Sequence, residues 1–218
     1  MKAFPLVLSA PSGGGKTTIA NALVAARDDI GYSVSATTRP PRPGERDGTD
    51  YHFVSAAEFE RRVQAGEFLE CAEYGGARYG TLQAEVERVL ASGRHVVLDI
   101  EIEGARAIRR RYPDAVLVFI VPPSAEELLQ RLGGPDGTRA ASLVSRLRRA
   151  VEELRVAPEY DYVVVNADRT EAVAEVAAIL DAEGRRPRRN PELADVVAEL
   201  GRDLGSLADR LQGRQGGV

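Results

Sequence analysis

The ten residues Ser9-Ala10-Pro11-Ser12-Gly13-Gly14-Gly15-Lys16-Thr17-Thr18 carry the plainest chemistry in the chain. They follow an apolar run, Leu6-Val7-Leu8, and open a helical pattern, Ile19 to Val24. Strand, glycine loop and helix in that order form the setting in which a loop binds nucleotide phosphates. Glycines let backbone N–H groups turn toward one centre and approach phosphate oxygens closely. The helix that follows adds unpaired N–H groups and the positive end of its dipole. Lys16 would supply a point charge to the transferred phosphate, and the Thr17 hydroxyl would reach a magnesium ion. The strict pattern has glycine where this chain has Ala10, but Gly15-Lys16-Thr17 falls where the loop must meet the helix.

A phosphate acceptor would need its own cations. Arg39 and Arg42 lie in Thr37-Thr38-Arg39-Pro40-Pro41-Arg42-Pro43-Gly44-Glu45, where three prolines forbid regular structure and stiffen the segment. Guanidinium forks presented in this way suit bidentate binding of a second anion. Tyr51 and Tyr79 would add hydroxyl donors, although either one alone reads as ordinary packing with its hydroxyl in water. Glu70 and Asp99 are the carboxylates of interest. An ionised carboxylate only accepts hydrogen bonds. Against the pairing edge of guanine it would take both the ring N–H and the exocyclic amine, whereas adenine presents an acceptor there. Glu70 taken alone reads as a solvated strand residue.

Composition bounds these readings. A chain of 218 residues with 44% hydrophobic content can fold one sizeable domain with a full core. The net charge of -4 argues against a dedicated nucleic-acid binder. The basic residues cluster locally at 39–46, 109–111, 146–149 and 185–189, which suits small anions. One cysteine, Cys71, excludes an internal disulfide and reads as a small buried residue. No cleavable leader is read before the first strand and no apolar run reaches membrane-spanning length, so a cytoplasmic, membrane-free protein is expected.

The elements that must position these groups alternate. After the loop helix, Tyr32 to Ala36 alternates, Tyr51 to Val54 reads as a short strand, and Ser55 with Glu58 forms a capping box for a helix to about Ala65. Glu67 to Tyr74 reads as extended, Gly75-Gly76 as a turn, and Thr81 as the cap of the helix carrying Val86, Val89 and Leu90. His95 to Ile100 and Val116 to Val121 are apolar strands. Ser124 with Glu127 caps a helix to about Leu132, and a break at Gly133 to Gly137 precedes a long basic helix. Tyr160 to Val165 is the last strand, and Asp168 with Glu171 starts a helix ending near Glu183. Apolar strands alternating with helices predict an α/β fold with a mainly parallel sheet covered by helices. The short polar strands between Ser35 and Thr81 predict an inserted region. Arg185 to Arg189 reads as a basic linker, and Asn190-Pro191-Glu192 as a helix start. Leu193, Val197, Leu200, Leu204, Leu207 and Leu211 then form an apolar stripe, suited equally to docking on the domain or to pairing with another copy in a homodimer.

Taken together, Ser9 to Thr18, the Thr37–Glu45 run, Phe68-Leu69-Glu70, Tyr79-Gly80-Thr81, Asp99-Ile100-Glu101, Gly104-Ala105, Ile120 to Ser124 and Tyr160 to Asn166 resemble guanylate kinase. The resemblance runs in order from about residue 5 to residue 183. It implies a P-loop kinase that moves the γ-phosphoryl group of ATP to GMP or dGMP with magnesium. Ala10, Pro11, Ser12, Gly13, Gly14, Gly15, Lys16, Thr17 and Thr18 would hold the ATP phosphates, with Asn166 near the adenine. Ser35, Arg39, Arg42, Tyr51 and Tyr79 would hold the GMP phosphate, and Glu70, Thr81 and Asp99 would read the guanine. Residues 35–81 would be the GMP-binding region and 124–149 a lid, set in a core of 1–34, 82–123 and 150–184, with 185–218 as linker and tail helix.

Phosphoryl transfer to an acceptor that is already anionic needs no general base, only alignment and charge neutralisation. Lys16, Arg39 and lid arginines would supply the latter. Arg131 and Arg146 match the family's lid arginines. A third falls at Pro135, and Arg139 is expected to replace it. Glu101 and Glu103 stand where Asp and Gln are more usual. Two rivals remain at this stage: a non-catalytic binding module of the same fold, and a kinase for another small phosphorylated acceptor.

Overall fold

The computed structural model describes residues 2–133 and 140–215; Pro135 and Arg139 lie outside the described residues. Two compact units are distinguishable, one from Ala3 to Ala177 and one formed by the first two residues with the chain from Ala178 onward.

The larger unit is built on a sheet of five strands that are parallel throughout. These are β1 (Pro5–Ser9), β2 (Ile30–Tyr32), β7 (His95–Asp99), β8 (Val116–Val121) and β9 (Tyr162–Val165), in the order β2-β7-β1-β8-β9. All five residues of β1 are buried, as a central strand covered on both faces requires. The chain leaves β1 toward β2 and leaves β8 toward β9. Their opposite departures open a crevice at the carboxyl ends of β1 and β8. Helices α1 (Lys16–Ala26), α3 (Gln83–Ala91), α4 (Ile102–Arg111), α5 (Ala125–Gly133), α6 (Ala140–Leu154) and α7 (Arg169–Gly184) accompany it. Val7, Leu98, Val86, Val89, Ala105 and Ile108 meet in one buried cluster that joins β1 and β7 to α3 and α4.

The inserted region is a second sheet. Its strands β3 (Ala36–Thr37), β4 (His52–Phe53), β5 (Phe68–Tyr74) and β6 (Ala77–Leu82) run in the order β4-β3-β6-β5. The alternating stretch Tyr32 to Ala36 is therefore shared between sheets: Tyr32 ends β2, Ala36 begins β3, and Ser33 to Ser35 cross between them. Phe59 of α2 (Ala56–Gln64) packs with Ala36 and Leu82 to give this sheet its own small core. Ser55 caps α2 by accepting from the Glu58 N–H at 3.1 Å, while the Glu58 carboxylate turns to Arg61 and Arg62 instead of completing the box. Gly75 and Gly76, with φ of 59° and 77°, make the two-residue turn that closes the β5–β6 hairpin. Only such left-handed pairs match the twist of the flanking strands.

Three sequence expectations are corrected. Thr81 does not cap a helix: it lies inside β6, α3 begins after Leu82, and the Thr81 hydroxyl is spent on Glu70. Cys71 is exposed, not buried, because the alternation of β5 turns it outward. Arg185 to Arg189 is not a solvated linker. Pro187–Arg189 is a short 3₁₀ turn in which Arg189 is 3% exposed and pairs at 2.9 Å with Glu183, itself 2% exposed. Beyond it, Asn190 caps α8 (Pro191–Gln215), accepting from the Leu193 N–H at 3.2 Å, and the apolar stripe of α8 from Leu193 to Leu211 is exposed.

Removing one partner of a buried ion pair leaves a buried charge uncompensated, at a cost of about 3 kcal/mol. Because the half-exposed Arg186 still pairs with Glu183 at 2.8 Å, Arg189→Ala is expected to lose somewhat less, about 1–3 kcal/mol, in urea melts. Arg188→Ala, at an exposed position of the same turn, should stay within about 0.5 kcal/mol. Equal small effects would return the segment to the status of a linker.

Candidate functional site

The loop after β1 is shaped by three glycines, each for its own reason. Gly13 and Gly15 have φ of 82° and 95°, a region that side chains rarely adopt. A Cβ on Gly14 would lie 2.7 Å from the Ala10 Cβ, and one on Gly15 would lie 2.4 Å from Asn166 Nδ2. Ala10, where the strict pattern has glycine, is buried and walls the loop from below. Asn166, at the end of β9, donates from Nδ2 to the Gly14 carbonyl at 2.9 Å. Its side chain is thus committed to the back of the loop. Pro11 accepts from the Gly14 N–H at 2.8 Å, which closes the turn.

Lys16 opens α1 and donates to Glu101 at 2.6 Å. Burial lowers its pKa, but Glu101, with Asp99 and Glu153 beyond it, raises it by more, and the net shift is upward. Glu101 stands at the N-cap position of α4, and the side-chain length that distinguishes it from Asp is what spans to Lys16. Thr17 donates to Asp99 Oδ2 at 2.5 Å, and the Tyr32 hydroxyl donates to Oδ1 of the same carboxylate. Burial pushes the Asp99 carboxyl above its ordinary range, against those two bonds. Thr18 follows in the first turn of α1.

Across the cleft, Arg39 pairs with Glu45 through both nitrogens, at 2.7 and 2.9 Å. Its guanidinium lies over the Tyr51 and Phe53 rings at 5.2 and 5.6 Å. The Arg42 N–H donates to the same Glu45 carboxylate at 2.7 Å, and these bonds hold Glu45 down at about 2. Glu70 sits just after a bulge at Leu69 that re-registers β5, so that Glu70 lies opposite Thr81. There Glu70 Oε1 accepts from the Thr81 N–H at 3.1 Å and from its hydroxyl at 2.6 Å. Gly104 in α4 lets the helix approach, since a Cβ there would stand 3.0 Å from the Glu70 carboxyl. Burial raises the Glu70 carboxyl above its ordinary 4.5, with the Thr81 bonds opposing.

Ser12, Gly13, Lys16, Thr17, Ser35, Arg39, Arg42, Tyr51, Glu70, Tyr79 and Asp99 all line one cleft of about 320 Å³. Residues from distant parts of the chain, on both sheets and the loops beside them, thus converge. Arg131 and Arg146 lie at the rim of the loop: Arg131 donates to the Asn166 carbonyl at 3.0 Å, and Arg146 to Ser12 Oγ at 3.3 Å and to the Leu132 carbonyl at 3.0 Å. Arg139 lies outside the described residues.

Of the residues at the site that escaped sequence reasoning, Tyr32 and Glu153 make polar contacts there. Tyr32 is visible only once β2 is seen beside β7. Glu153 lines the cleft and accepts from the Ser12 N–H at 3.2 Å. A signal for it existed: Leu143, Leu147 and Ala150 mark the buried face of α6, and Glu153 continues that face at helical spacing.

Residues 2–183 match the protein family described as guanylate kinase. The guanylate kinase of Symbiobacterium thermophilum is 51% identical over 201 residues, covering 92% of this chain and 95% of that protein. A guanylate kinase of Thermus thermophilus is 46% identical over 221 residues and spans 100% of this chain, tail included, and 98% of its own. Among solved structures, guanylate kinase from Anaplasma phagocytophilum superposes with a TM-score of 0.71 at 36% identity, over 86% of this chain and 89% of that one.

A raised carboxylate pKa means the folded state holds the proton more tightly than the unfolded chain. Glu70 therefore adds stability below about pH 4.5, and that contribution is lost as pH rises through its elevated value. The difference in melting temperature, wild type minus Glu70→Gln, should fall as pH goes from 4 to 7, leaving the variant at least as stable as wild type at pH 7. A difference that is flat or rises with pH would show that the buried carboxylate is not strained.

Proposed function

The chain belongs to the guanylate kinase family, and on that premise we infer that it transfers the γ-phosphoryl group of ATP to GMP, giving ADP and GDP. The observation that carries the inference is the single cleft in which the phosphate-loop lysine and threonine face two arginines and a buried, acceptor-only carboxylate. On this reading the curled amides of Gly13 to Thr18 and Lys16 hold the ATP phosphates. Ser35, Arg39, Arg42, Tyr51 and Tyr79 hold the GMP phosphate. Glu70 accepts from the guanine ring N–H and amine through lone pairs that Thr81 leaves free, and dGMP, which differs only at the ribose, is accepted too. Asp99, bonded to Thr17, joins the acceptor pocket to the phosphate loop.

The donor set also fits magnesium. A hydroxyl beside a carboxylate is a hard oxygen pair, and among the described residues no cluster of three or more metal-ligating side chains competes for the ion. Magnesium with nucleotide is held mostly by phosphates and water, with few protein ligands, so Thr17 would be its ligand and Asp99 the support of Thr17, and the ion would supply neutralisation of the nucleotide's phosphate charge. The remaining work belongs to the chain. Lys16 exchanges Glu101 for a phosphate oxygen, Arg39 exchanges Glu45 for the acceptor phosphate, and both anions are brought into line. Nothing in the described residues calls for a general base. The binding-module alternative has no observation in its favour, since the loop, its lysine and both acceptor arginines are in place.

The exposed stripe of α8 supports a partner of its own, a second copy of this chain. Antiparallel pairing sets Leu193 against Leu211, Val197 against Leu207 and Leu200 against Leu204 of the other helix, using the whole stripe. Small residues Ala194, Gly201 and Ala208 along one flank allow close approach. Sedimentation should report a dimer that Leu200→Lys with Leu204→Lys converts to monomer, with activity retained. A monomeric wild type overturns the pairing.

Release of ADP from ATP and magnesium should be stimulated by GMP and dGMP but not by AMP, CMP or UMP. Lys16→Ala should lower kcat by roughly 10³ or more. Glu70→Gln should raise the KM for GMP about tenfold to a hundredfold, the worth of a hydrogen bond to a charged group. Stimulation by AMP equal to that by GMP would overturn the assignment of the acceptor.

A further inference from the structure

The acceptor side and the phosphate loop belong to different sheets, and a short chain of side chains joins them along one wall of the cleft. Tyr74 is the last residue of β5, at the tip of the hairpin that carries Glu70 and Tyr79. The Arg149 guanidinium of α6 lies over its ring at 4.7 Å from the centroid. Arg149 Nε donates to Glu153 Oε1 at 2.7 Å, and the other oxygen of Glu153 accepts from the Ser12 N–H of the phosphate loop at 3.2 Å. The Glu153 side chain is only 8% exposed, whereas that of Arg149 is 48% exposed, so the relay runs from the surface at Tyr74 and Arg149 to a buried end at the phosphate loop. Tyr74 and Glu153 line both the main cleft and a neighbouring one of about 360 Å³, and Arg149 lines the second. The relay forms the wall between the two clefts.

We propose that Tyr74 and Arg149 are positioning residues that couple acceptor binding to donor binding, by tying the tip of the β5–β6 hairpin to the phosphate-loop amide of Ser12 through Glu153. Neither side chain touches a substrate on the reading given above, on which the proposal rests. The physical basis is short-range. A phosphate seated against Arg39 and Tyr79 fixes the hairpin. The fixed ring holds the guanidinium, the guanidinium holds one carboxylate oxygen, and the second oxygen then holds the loop N–H in the orientation that ATP requires. Ordering imposed by one substrate is no longer imposed by the other, so each binds more tightly when its partner is present. Arg146 reaches Ser12 from the same helix, through the hydroxyl, and so reinforces the loop end of the relay.

A double-mutant cycle in binding tests the relay. The dissociation constant of GMP is measured by calorimetry with and without a saturating non-hydrolysable ATP analogue and magnesium. This is done for wild type, Tyr74→Leu, Arg149→Met, the pair together, and Tyr74→Phe. Wild type should bind GMP more tightly when the analogue is present. Either single substitution should shrink that enhancement about threefold, in keeping with loss of an exposed cation–π contact. The double variant should shrink it no further, and Tyr74→Phe, which keeps the ring, should behave as wild type. An enhancement that survives Tyr74→Leu, or singles whose losses add, overturns the coupling. So does a wild type in which the analogue leaves GMP affinity unchanged. Thermal melts of each variant separate loss of coupling from loss of fold, and Tyr74, 37% exposed, is the safer of the two positions. Failure of wild type to bind GMP at all would instead overturn the guanylate kinase reading.

Discussion

A backbone that must curl around an anion is the constraint on which the rest of this molecule depends. The curl is available only to residues without side chains at 13, 14 and 15, and it is held by what surrounds it. The Ala10 methyl lies beneath, the Asn166 amide behind and the Leu132 methyls above. Those supports come from β1, from the end of β9 and from α5, so the loop ties together the middle of the sheet, its edge and the helix after β8. A parallel sheet with a central first strand delivers all three to one crevice. The hydrogen bond from Asn166 to the Gly14 carbonyl makes the last strand as much a part of the phosphate site as the first.

Around the loop the protein gathers charges that an apolar core would exclude. Each is admitted with a partner: Lys16 with Glu101, Thr17 and Tyr32 with Asp99, Arg39 with Glu45, the Ser12 amide with Glu153. Glu70 and Asp99 are held against burial only by neutral donors, Thr81 for the one and Thr17 and Tyr32 for the other, and burial still raises both carboxyls. A site that is uncomfortable when empty is what discrimination by hydrogen-bond donors requires, because the wrong base would leave the strain unrelieved.

The sequence announced the fold through the contrast between solid apolar runs and short polar strands, and the loop through the order strand, glycines, lysine. The presentation of Arg39 and Arg42 to the cleft was legible because three prolines in nine residues have few other uses. What was hidden depends on register and on competition. Thr81 has the right spacing for a helix cap, but Glu70 lies directly opposite it across two strands and takes the hydroxyl first. The bulge at Leu69 that makes them opposite leaves no trace in an alternation pattern. Arg185 to Arg189 has the composition of a linker, and only the buried Glu183 beside it reveals a packed turn. Glu153 could have been noticed as a carboxylate on a core-facing helical position.

The pairing of the cations also bears on how the site empties. A phosphate arriving at Lys16 or Arg39 meets no bare charge; it displaces a carboxylate that is already bonded there. Binding is then an exchange of like for like, and the gain is the difference between two strong interactions. On the proposed reading, Glu101 and Glu45 would be at hand to take back the vacated donors when product leaves, so departure would not strand a cation in a poorly solvated wall. On that reading the internal carboxylates would act as leaving-side counterions, shortening residence on a surface that would otherwise retain the highly charged nucleotides it makes.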